Sequence, residues 1–488
     1  MSARTLMFQG TGSDVGKSVV VAGLCRVFTR RGLSVLPFKP QNMSNNAAVT
    51  PDGGEIGRAQ ALQAIACGVD LSVHMNPVLL KPQSDVGAQV VVRGKATGTA
   101  DADYYREHRQ TLLNTVIESF EILKQQADVI LVEGAGSPAE INLRAGDIAN
   151  MGFATATRTP VVLIGDIDRG GVIASVVGTH GLLEADERDL ICGFLINKFR
   201  GDLSLFDDGL QAIVDRTQWR SYGVLPYVPA VRSLPAEDAV VLDHVQPSGK
   251  DGILIAVPML SRIANFDDVD PLQAEPDVTV RFIPPGQPLP GDAQLVLIPG
   301  TKSTTADMAF FRAQGWDIDL AAHHRRGGRI LGICGGYQML GNRIDDPDGV
   351  DGAPTCIDGL GLLNISTHMI HDKTVRRTQA LCPSLGCTAR GYEIHAGDTT
   401  GIDVEERPFF QVEERNLGAM SPDGGVMGGY VHGMFEDDRF RASFLATFRS
   451  GEHREMQYAH RVDEALDVLA EAMEHHLDVE ALWESMSA

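Results

Sequence analysis

The stretch Arg329–Gly341 constrains the fold of this chain more than any other. An apolar run, short enough to be a buried strand, stops at Cys334, and two glycines and further apolar residues at helical spacing follow. This order predicts a strand, a sharp turn and a helix, in which the residue at the turn is exposed beside backbone N–H groups that can bind an oxyanion. We therefore predict that Cys334 is a nucleophile and that Gly335 helps to bind the oxyanion. The alternative is that Cys334 is a small buried apolar residue, as most free cysteines are.

A cysteine nucleophile requires a base, and His432 is the best candidate. It lies between glycines in the β-type run Gly428–Glu436, so its imidazole can face an open site. The chain contains 14 histidines, so the prediction depends on these glycine-rich surroundings rather than on the residue type.

Length and charge limit the classes of protein to which the chain can belong. Its 488 residues suffice for two or three domains with cores of their own. The net charge of −22 has the wrong sign for a nucleic-acid or anionic-membrane partner, so we expect small-molecule chemistry. The chain starts without a signal-peptide profile and its seven cysteines form no Cys-x-x-Cys pair, which predicts a cytoplasmic protein.

The first half begins with a short apolar strand, a glycine-rich loop, Gly10–Ser18, and a helix. In such a loop backbone N–H groups wrap the phosphates of a nucleotide, the lysine reaches the outer phosphates and the serine binds Mg²⁺. The loop is a variant of the standard phosphate loop, because Thr11 occupies the position of the first glycine. The residues predicted to bind nucleotide and Mg²⁺ here are Gly12, Val15, Gly16, Lys17 and Ser18.

Three further strands of the first half end in polar residues that the same site can use. Lys39 follows one strand, where its charge can hold a carboxylate substrate or a transferring phosphoryl group. Glu133 ends the second strand and is a candidate Mg²⁺ ligand. Asn197 follows the third at a corner that resembles the base-reading corner of P-loop proteins, and Arg200 there favours adenine, and hence ATP. The alternative is that Lys39 and Glu133 are ordinary exposed residues.

The order of elements predicts the architecture. Strands and helices alternate, which indicates α/β domains with parallel sheets covered on both faces. The region rich in Pro, Asp, Glu and Gly between the halves predicts a linker. The predicted division is a nucleotide-binding domain at 1–228, a linker at 229–251, a second domain at 252–445 and a helical tail at 446–488. The tail is amphipathic, so we expect it to pack against a domain or another subunit.

The second half also contains a cationic run. A polycarboxylate substrate would need such a patch in an acidic domain, but a solvated loop explains it nearly as well. The residues of this run are His368, His371, Lys373, Arg376 and Arg377.

Several motifs resemble those of the glutamine-hydrolysing corrinoid amidotransferase family, and the resemblance covers nearly the whole chain. These motifs are the phosphate loop, Phe38–Asn46, Gly54–Gln63, Ser261–Asp268 and Gly391–Gly397. The resemblance implies a P-loop domain similar to dethiobiotin synthetase joined to a flavodoxin-like class I glutamine amidotransferase domain. It also implies that Cys334 is the attacking thiolate, that His432 is its base, and that the Pro–Gly turn at Gly300 helps to bind the oxyanion and glutamine.

One departure from the class I pattern concerns the residue that orients His432. Most such amidotransferases have a carboxylate two residues after the histidine, and this position is Met434 here. Glu436 lies two residues further on, on the same face if the strand continues, and is therefore a candidate third catalytic residue. The sequence leaves open whether Glu436 orients His432.

The resemblance implies amidation, with ATP and glutamine, of the b, d, e and g side-chain carboxylates of adenosylcobyrinic acid a,c-diamide in cobalamin biosynthesis. One alternative is the related a,c-diamide synthase, which acts earlier on the same ring. An alternative from another class is a non-catalytic, partition-type P-loop ATPase, which would have no use for Cys334. The order of amidation, the residues that touch the corrin ring and the oligomeric state are not determined by the sequence, and an oligomer remains open.

Overall fold

The structure is a computed structural model that describes residues 3–83, 87–100, 102–235, 252–449 and 456–487. In this part of the chain no helix combines the length and the apolar character needed to cross a bilayer. The predicted linker is described only up to residue 235, where it contains the 3₁₀ turn Pro229–Ser233, and the remainder lies outside the described residues.

The first half is built on a six-stranded parallel sheet, which confirms the predicted α/β class. Residues along each strand alternate between two apolar cores, so that Leu6 and Phe8 face one core and Met7 faces the other. The strands are apolar throughout because both faces are covered. From one edge to the other they are Arg220–Pro226, Ile191–Phe199, Val161–Asp166, Arg4–Gly10, Val129–Glu133 and Val35–Phe38.

Helices cover both faces of this sheet. The helix Lys17–Arg30 contributes Val20 and Leu24 to one core, and the helix Ala102–Lys124 contributes Val116 to the other. The other α-helices are Arg58–Cys67, Met151–Thr157, Val172–Leu182, Ala185–Arg188 and Asp207–Thr217, and the 3₁₀ turns are Val73–Met75, Ile141–Gly146 and Leu203–Phe206.

Beside the main sheet, the first half has a small sheet and a hairpin that face the second half. Ala47 and Leu79 of these elements pack with Tyr392 and Ile394 of the second half in one apolar cluster. The two halves therefore share buried surface and are not merely tethered. The strands of the small sheet are Gln41–Met43, Val78–Pro82, Ala88–Val92 and Lys95–Ala100, and the hairpin pairs Ala47–Val49 with Glu55–Gly57.

The second half has its own six-stranded sheet, parallel except for one edge strand. Numbered along the chain, its five parallel strands lie in the order 2-1-3-4-5, which is the order of flavodoxin-like sheets. Across the sheet the strands are Val278–Ile283, Ile253–Pro258, Leu295–Ile298, Arg329–Ile333, Val426–Gly429 and Ala419–Met420. The helices and 3₁₀ turns are Phe266–Val269, Asp270–Gln273, Thr304–Ala313, Trp316–Arg325, Gly335–Leu340, Ile402–Glu406, Met434–Glu436 and Asp438–Ala446.

A second, largely antiparallel sheet of this half carries the predicted base. Its two long strands, Ser366–Cys382 and Cys387–Thr400, pair with each other, and the second also pairs with the short strand Val431–His432. His432 is thereby placed opposite Tyr392. The remaining strands are Thr355–Asp358, Arg343–Asp346, Phe410–Val412 and Arg415–Leu417, with a separate pair formed by Ile263–Ala264 and Gly300–Thr301.

The C-terminal helices, Tyr458–His476 and Val479–Glu484, return to the first half and complete one of its cores. At Gly23 of the first half, an added Cβ would lie 2.5 Å from the Met473 sulfur, so the helices approach closely. Backbone hydrogen bonds also join Thr5 to the C-terminal end of the chain, with the Thr5 N–H 2.8 Å from the Ser487 oxygen. The predicted amphipathic tail thus packs against a domain of its own chain.

We expect Leu469→Ala to lower the free energy of unfolding by about 3 kcal/mol, because Leu469 is fully buried in the core that the tail completes. Urea unfolding of the full chain measures this loss. The neighbouring Val468 is 47% exposed, so Val468→Ala should change stability by less than about 0.5 kcal/mol. Equal losses from the two variants would contradict the packing described here.

Candidate active sites

Cys334 lies at a strained turn between the strand Arg329–Ile333 and the helix Gly335–Leu340, as the local sequence predicts. Its backbone has φ 53° and ψ −109°, a conformation that a residue with a side chain rarely adopts. The thiol is partly buried and lies 3.4 Å from the Ile394 carbonyl oxygen. Such a turn holds the sulfur in a fixed direction, as a nucleophile requires.

The glycines of this turn are required by close backbone approach. A Cβ at Gly332 would lie 2.6 Å from the Gly336 carbonyl oxygen, and one at Gly336 would lie 2.1 Å from the Ile298 carbonyl oxygen. Any side chain at these positions would push the helix away from the neighbouring strand. The glycine pattern therefore reflects packing around the turn that presents Cys334.

Asp268 is the carboxylate that orients His432. The His432 Nδ1–H donates to Asp268 Oδ2 at 2.7 Å, and Asp268 Oδ1 accepts from the Gly433 N–H at 2.7 Å. His432 and Asp268 are both buried, and the Tyr392 ring stacks on the imidazole at a centroid distance of 5.5 Å. The Asp268 contact keeps a proton on Nδ1 of His432, so that Nε2 is the ring nitrogen available to Cys334.

The charges around His432 favour its protonated form. Burial lowers the pKa of the imidazole, but the Asp268 carboxylate, with a contribution from Cys334, outweighs burial and raises the pKa from 6.5 to about 10. His432 is therefore an imidazolium near neutral pH. An adjacent imidazolium stabilises a thiolate, which is the nucleophilic form of cysteine.

Glu436 does not occupy the position considered for it from the sequence. Its carboxylate accepts a hydrogen bond from the Arg58 guanidinium at 2.6 Å, and its side chain is 42% exposed. The strand ends at His432, Gly433 has φ 69°, and a 3₁₀ turn follows, so the alternation of faces on which the expectation rested stops there. Sequence reasoning missed Asp268 as the orienting residue, although it ends one of the family-like motifs.

The predicted oxyanion residues lie at the same turn. Gly335 is the first residue of its helix, so its N–H has no acceptor within the helix. Gly300 lies beside the base, since a Cβ there would be 3.1 Å from His432 Cε1. The Cys334 N–H is already bonded to the Gly429 oxygen at 2.9 Å. Binding of the oxyanion by Gly300 and Gly335 stays a prediction that this placement allows.

A cavity of about 70 Å³ adjoins Cys334 and His432 and reaches the boundary between the halves. Asn45 and Lys81 of the first half line it together with residues of the second half. The residues of the second half that line it include Gly300, Thr301, Lys302, Gln338, Asp351, Lys373 and His395. The space in front of the sulfur is therefore bounded by both halves of the chain.

In the first half, the predicted phosphate loop lies between the central strand Arg4–Gly10 and the helix that begins at Lys17. Gly16 has φ 91°, a conformation that favours glycine, and precedes the first turn of that helix. The Lys17 ammonium donates to the carbonyl oxygens of Gly12 at 3.0 Å and Gly136 at 3.2 Å, and so lies folded over the loop. This is the position from which a lysine can reach bound phosphates.

Glu133 is the centre of a buried polar cluster beside the loop. Its carboxylate accepts from the Ser18 hydroxyl at 2.8 Å and from the Lys39 ammonium at 2.8 Å. It also accepts from the Gln63 amide at 2.6 Å, a contact that sequence reasoning missed. Lys39 and Glu133 are both buried, so neither is the exposed residue of the alternative interpretation. Carboxyl ends of neighbouring parallel strands bring Lys39 and Glu133 together.

The predicted base-reading corner also supports the phosphate loop. The Asn197 amide donates to the Val15 carbonyl oxygen at 2.9 Å, and the Lys198 ammonium donates to Asp166 at 2.8 Å. Arg200 pairs with Asp168 at 2.7 Å. Reading of an adenine base at this corner stays a prediction.

The cationic run of the second half does not form one open patch. The Lys373 ammonium is buried on the Glu55 carboxylate of the first half. Arg376 pairs with Glu393 at 2.7 Å, and Arg377 donates to the Val49 carbonyl oxygen at 3.1 Å. Part of the run therefore joins the two halves.

Known proteins with similar sequences match the chain from end to end. The family described as "CobQ/CobB/MinD/ParA nucleotide binding domain" matches residues 6–241, and "CobB/CobQ-like glutamine amidotransferase domain" matches residues 254–440. The curated cobyric acid synthases of Brucella anthropi and Brucella suis biovar 1 are each 60% identical over 481 residues, covering 99% of both chains. That of Brucella melitensis biotype 2 is 59% identical over the same length and coverage. The solved structure of PurLQS from Thermotoga maritima, 15% identical, aligns with 44% of this chain and 97% of its own at a TM-score of 0.30.

These matches confirm a nucleotide-binding first half and a glutamine amidotransferase second half, as the motifs predict. The similarity to these relatives covers 99% of the chain, and so both of its halves. The chain belongs to the cobyric acid synthase family of glutamine-hydrolysing amidotransferases.

Proposed function

We propose that this enzyme converts the b, d, e and g side-chain carboxylates of adenosylcobyrinic acid a,c-diamide into amides, with glutamine as nitrogen donor and ATP as the activating cosubstrate. The observation that carries the proposal is a Cys334–His432–Asp268 arrangement in one half of a chain whose other half holds a phosphate loop. Identity of 60% to cobyric acid synthases over nearly the whole chain supports the choice of substrate.

The second half supplies the nitrogen. The Cys334 thiolate attacks the side-chain amide carbon of glutamine and forms a carbon–sulfur bond. His432 gives its proton to the departing nitrogen, and ammonia leaves. Water, deprotonated by the now neutral His432, then cleaves the thioester and releases glutamate. Asp268 holds the ring in orientation throughout, and the N–H groups of Gly300 and Gly335 stabilise the oxyanion.

The first half activates the acceptor. Lys17 and Lys39 place two positive charges beside the phosphate loop, where charge develops on a transferring phosphoryl group. ATP phosphorylates a substrate carboxylate, and ammonia then displaces phosphate from the acyl phosphate to leave an amide. Lys39 belongs to the family-like motif Phe38–Asn46 and lies beside Glu133, which supports a role for it on the substrate side of the phosphates.

The oxygens of Ser18 and Glu133 fit a magnesium ion. They are a hydroxyl and a carboxylate oxygen 2.8 Å apart, and Mg²⁺ prefers such hard oxygen ligands. Clusters of three metal-ligating His, Cys, Asp or Glu side chains do not occur in the described parts of the chain, which suits an ion held mainly by phosphates and water. When bound, Mg²⁺ neutralises phosphate charge.

The position of the cavity supports transfer of ammonia between the halves. Free ammonia is largely protonated and not nucleophilic near neutral pH, so a short sheltered path has a chemical purpose. Asn45 and Lys81 of the first half line the space into which ammonia would be released.

We also propose a cytoplasmic location for this protein, because its seven cysteines are unpaired.

Incubation of the protein with ATP, Mg²⁺, glutamine and a single corrinoid tests the proposed function. Mass spectrometry should show four added amides on adenosylcobyrinic acid a,c-diamide and none on cobyrinic acid. Amides added only at the a and c positions of cobyrinic acid would identify an a,c-diamide synthase instead. ATP hydrolysis without glutaminase activity would favour the partition-type ATPase.

Lys17→Ala is expected to lower ATP-dependent amidation about 100-fold, because the loop loses the charge that reaches the outer phosphates. Glutamine hydrolysis, measured without nucleotide, should change by less than about threefold, since Cys334 lies in the other half. Lys95, which is exposed, provides the control variant Lys95→Ala. Equal amidation by the Lys17→Ala and Lys95→Ala variants would argue against the assigned phosphate site.

A further inference from the structure

Arg58 of the nucleotide-binding half contacts two carboxylates that lie near His432, the proposed base of the glutaminase site. Arg58 begins the helix Arg58–Cys67, and its Nε lies 2.9 Å from Asp267 Oδ2. Its Nη2 donates to Glu436 Oε1 at 2.6 Å. The Arg58 side chain is only 10% exposed and that of Asp267 is 2% exposed, so this part of the contact is buried between the halves, whereas Glu436 is 42% exposed.

Arg58 contacts the same short turn that contains Asp268, the carboxylate that orients His432. Asp267 immediately precedes Asp268 in the 3₁₀ turn Phe266–Val269, and all four residues of this turn are buried. Asp268 in turn fixes His432 through its Nδ1–H at 2.7 Å. The same turn is held a second time from the first half, because the Asn265 side-chain oxygen accepts from the Ala47 N–H at 3.0 Å.

The charges explain why an arginine is needed there. Asp267, Asp268 and Glu436 place three carboxylates together, and Arg58 is the cation that the first half supplies to them. Burial, with help from the other two carboxylates, raises the pKa of Asp267 to about 6, and Arg58 opposes this rise. The titratable and charged side chains that face Arg58 or Asp267 are Asp268, His432, Glu436, Tyr392 and Tyr458.

The other contact of the same helix is at the nucleotide site. The Gln63 amide donates to Glu133 Oε2 at 2.6 Å, and the Ser18 hydroxyl donates to the other oxygen of that carboxylate. A magnesium ion that arrives with a nucleotide would take the Ser18 and Glu133 oxygens as ligands, and we expect this to shift the carboxylate that Gln63 contacts. Arg58 lies five residues before Gln63, on the first turn of this helix.

We propose that Arg58 is a positioning residue of the glutaminase site, supplied by the nucleotide-binding half, and that the helix it begins makes glutamine hydrolysis respond to nucleotide. The inference rests on the proposed function, because it takes Cys334, His432 and Asp268 as the glutaminase residues. Arg58 does not touch glutamine; it acts through Asp267 on the orientation of Asp268.

The test is glutamine hydrolysis by the full chain, with and without ATP and Mg²⁺, in the absence of corrinoid. We expect nucleotide to change the wild-type kcat at least about fivefold, which is the lower end of the usual coupling between sites. Arg58→Gln should lower kcat about tenfold, leave KM within about twofold and abolish the nucleotide response. The acid limb of its pH profile should move to higher pH, because loss of a positive charge raises the pKa of neighbouring acids.

Two further variants make the test specific. Arg58→Lys keeps the charge but not the two-point contact, so it should restore the pH profile and part of kcat. Arg390 pairs with Asp437 at 3.2 Å with a side chain 79% exposed, and Arg390→Gln should match the wild type in every measurement.

The inference is overturned if Arg58→Gln keeps wild-type kcat, pH profile and nucleotide response, or if wild-type hydrolysis does not respond to nucleotide. Amidation of the corrinoid with ammonia in place of glutamine separates this outcome from failure of the proposed function. Arg58→Gln should retain ammonia-supported amidation, which also shows that the variant is folded. Absence of that amidation in the wild type would refute the proposed substrate, whereas the glutaminase measurements would still decide the role of Arg58.

Discussion

Cys334→Ala is expected to lower glutamine hydrolysis by more than about 1,000-fold, while amidation with ammonia continues at the wild-type rate. Alanine cannot form the thioester, but the phosphate loop in the other half is unchanged. Release of glutamate and formation of the amide are measured separately, first with glutamine and then with an ammonium salt as the nitrogen source. The comparison tests whether the two halves perform separable reactions.

Two other cysteines provide controls for this variant. Cys356 is exposed and Cys67 is buried in the core of the first half, so Cys356→Ala and Cys67→Ala should both keep glutaminase activity. Substantial glutamine hydrolysis by Cys334→Ala would exclude Cys334 as the nucleophile. Loss of ammonia-supported amidation would show that the sites cannot be separated in this way.

Asp268→Asn is expected to lower kcat/KM for glutamine by about 1,000-fold. The corresponding change in a serine triad costs about 10,000-fold, and a thiol, which ionises more readily, depends less on its base. Asparagine keeps the shape of the side chain but removes the charge that stabilises the His432 imidazolium. Glu436→Gln removes one of the two Arg58 contacts and should cost no more than about tenfold, so an equal loss of about 1,000-fold from it would argue against Asp268 as the orienting residue.

Asp268→Asn is also expected to change the stability of the protein by an amount that depends on pH. In the wild type the pKa of His432 is raised from 6.5 to about 10, so the pair with Asp268 contributes stability that is fully present below pH about 6.5. That contribution is lost as the pH rises through about 10. The difference in thermal midpoint between wild type and Asp268→Asn should therefore be largest near pH 6 and smallest above pH 10. A difference that is constant over this range would argue against the charged pair.

The turn at Cys334 could be predicted from sequence because its elements are consecutive in the chain. Strand, glycines and helix follow one another within Arg329–Gly341, and the positive φ of Cys334 is typical of a nucleophile at such a turn. The same holds for the phosphate loop, where Gly16 and Lys17 lie between consecutive elements. The strand ends that bring Lys39 and Glu133 together follow from parallel pairing, which the alternation of elements also indicates.

The third residue of the glutaminase site could not be found in this way. Asp268 lies 164 residues before His432, so no periodicity connects the two. The expectation for Glu436 extrapolated a strand that in fact ends at His432 because Gly433 turns the chain. Contacts between the halves, such as that of Arg58 with Asp267, depend on tertiary packing that local patterns do not encode.

The return of the C-terminal helices has a consequence for dissecting this enzyme. Leu477 bridges to Gly223 at the edge strand of the main sheet, and Ser487 pairs with Thr5 at its centre, so the nucleotide-binding half is discontinuous in sequence. A single cut between residues 235 and 252 would leave the C-terminal helices attached to the glutaminase half. Truncation before residue 456 would expose the apolar core of the nucleotide-binding half that these helices cover. Fragment studies should instead splice 3–235 directly to 456–487 and express 252–449 by itself.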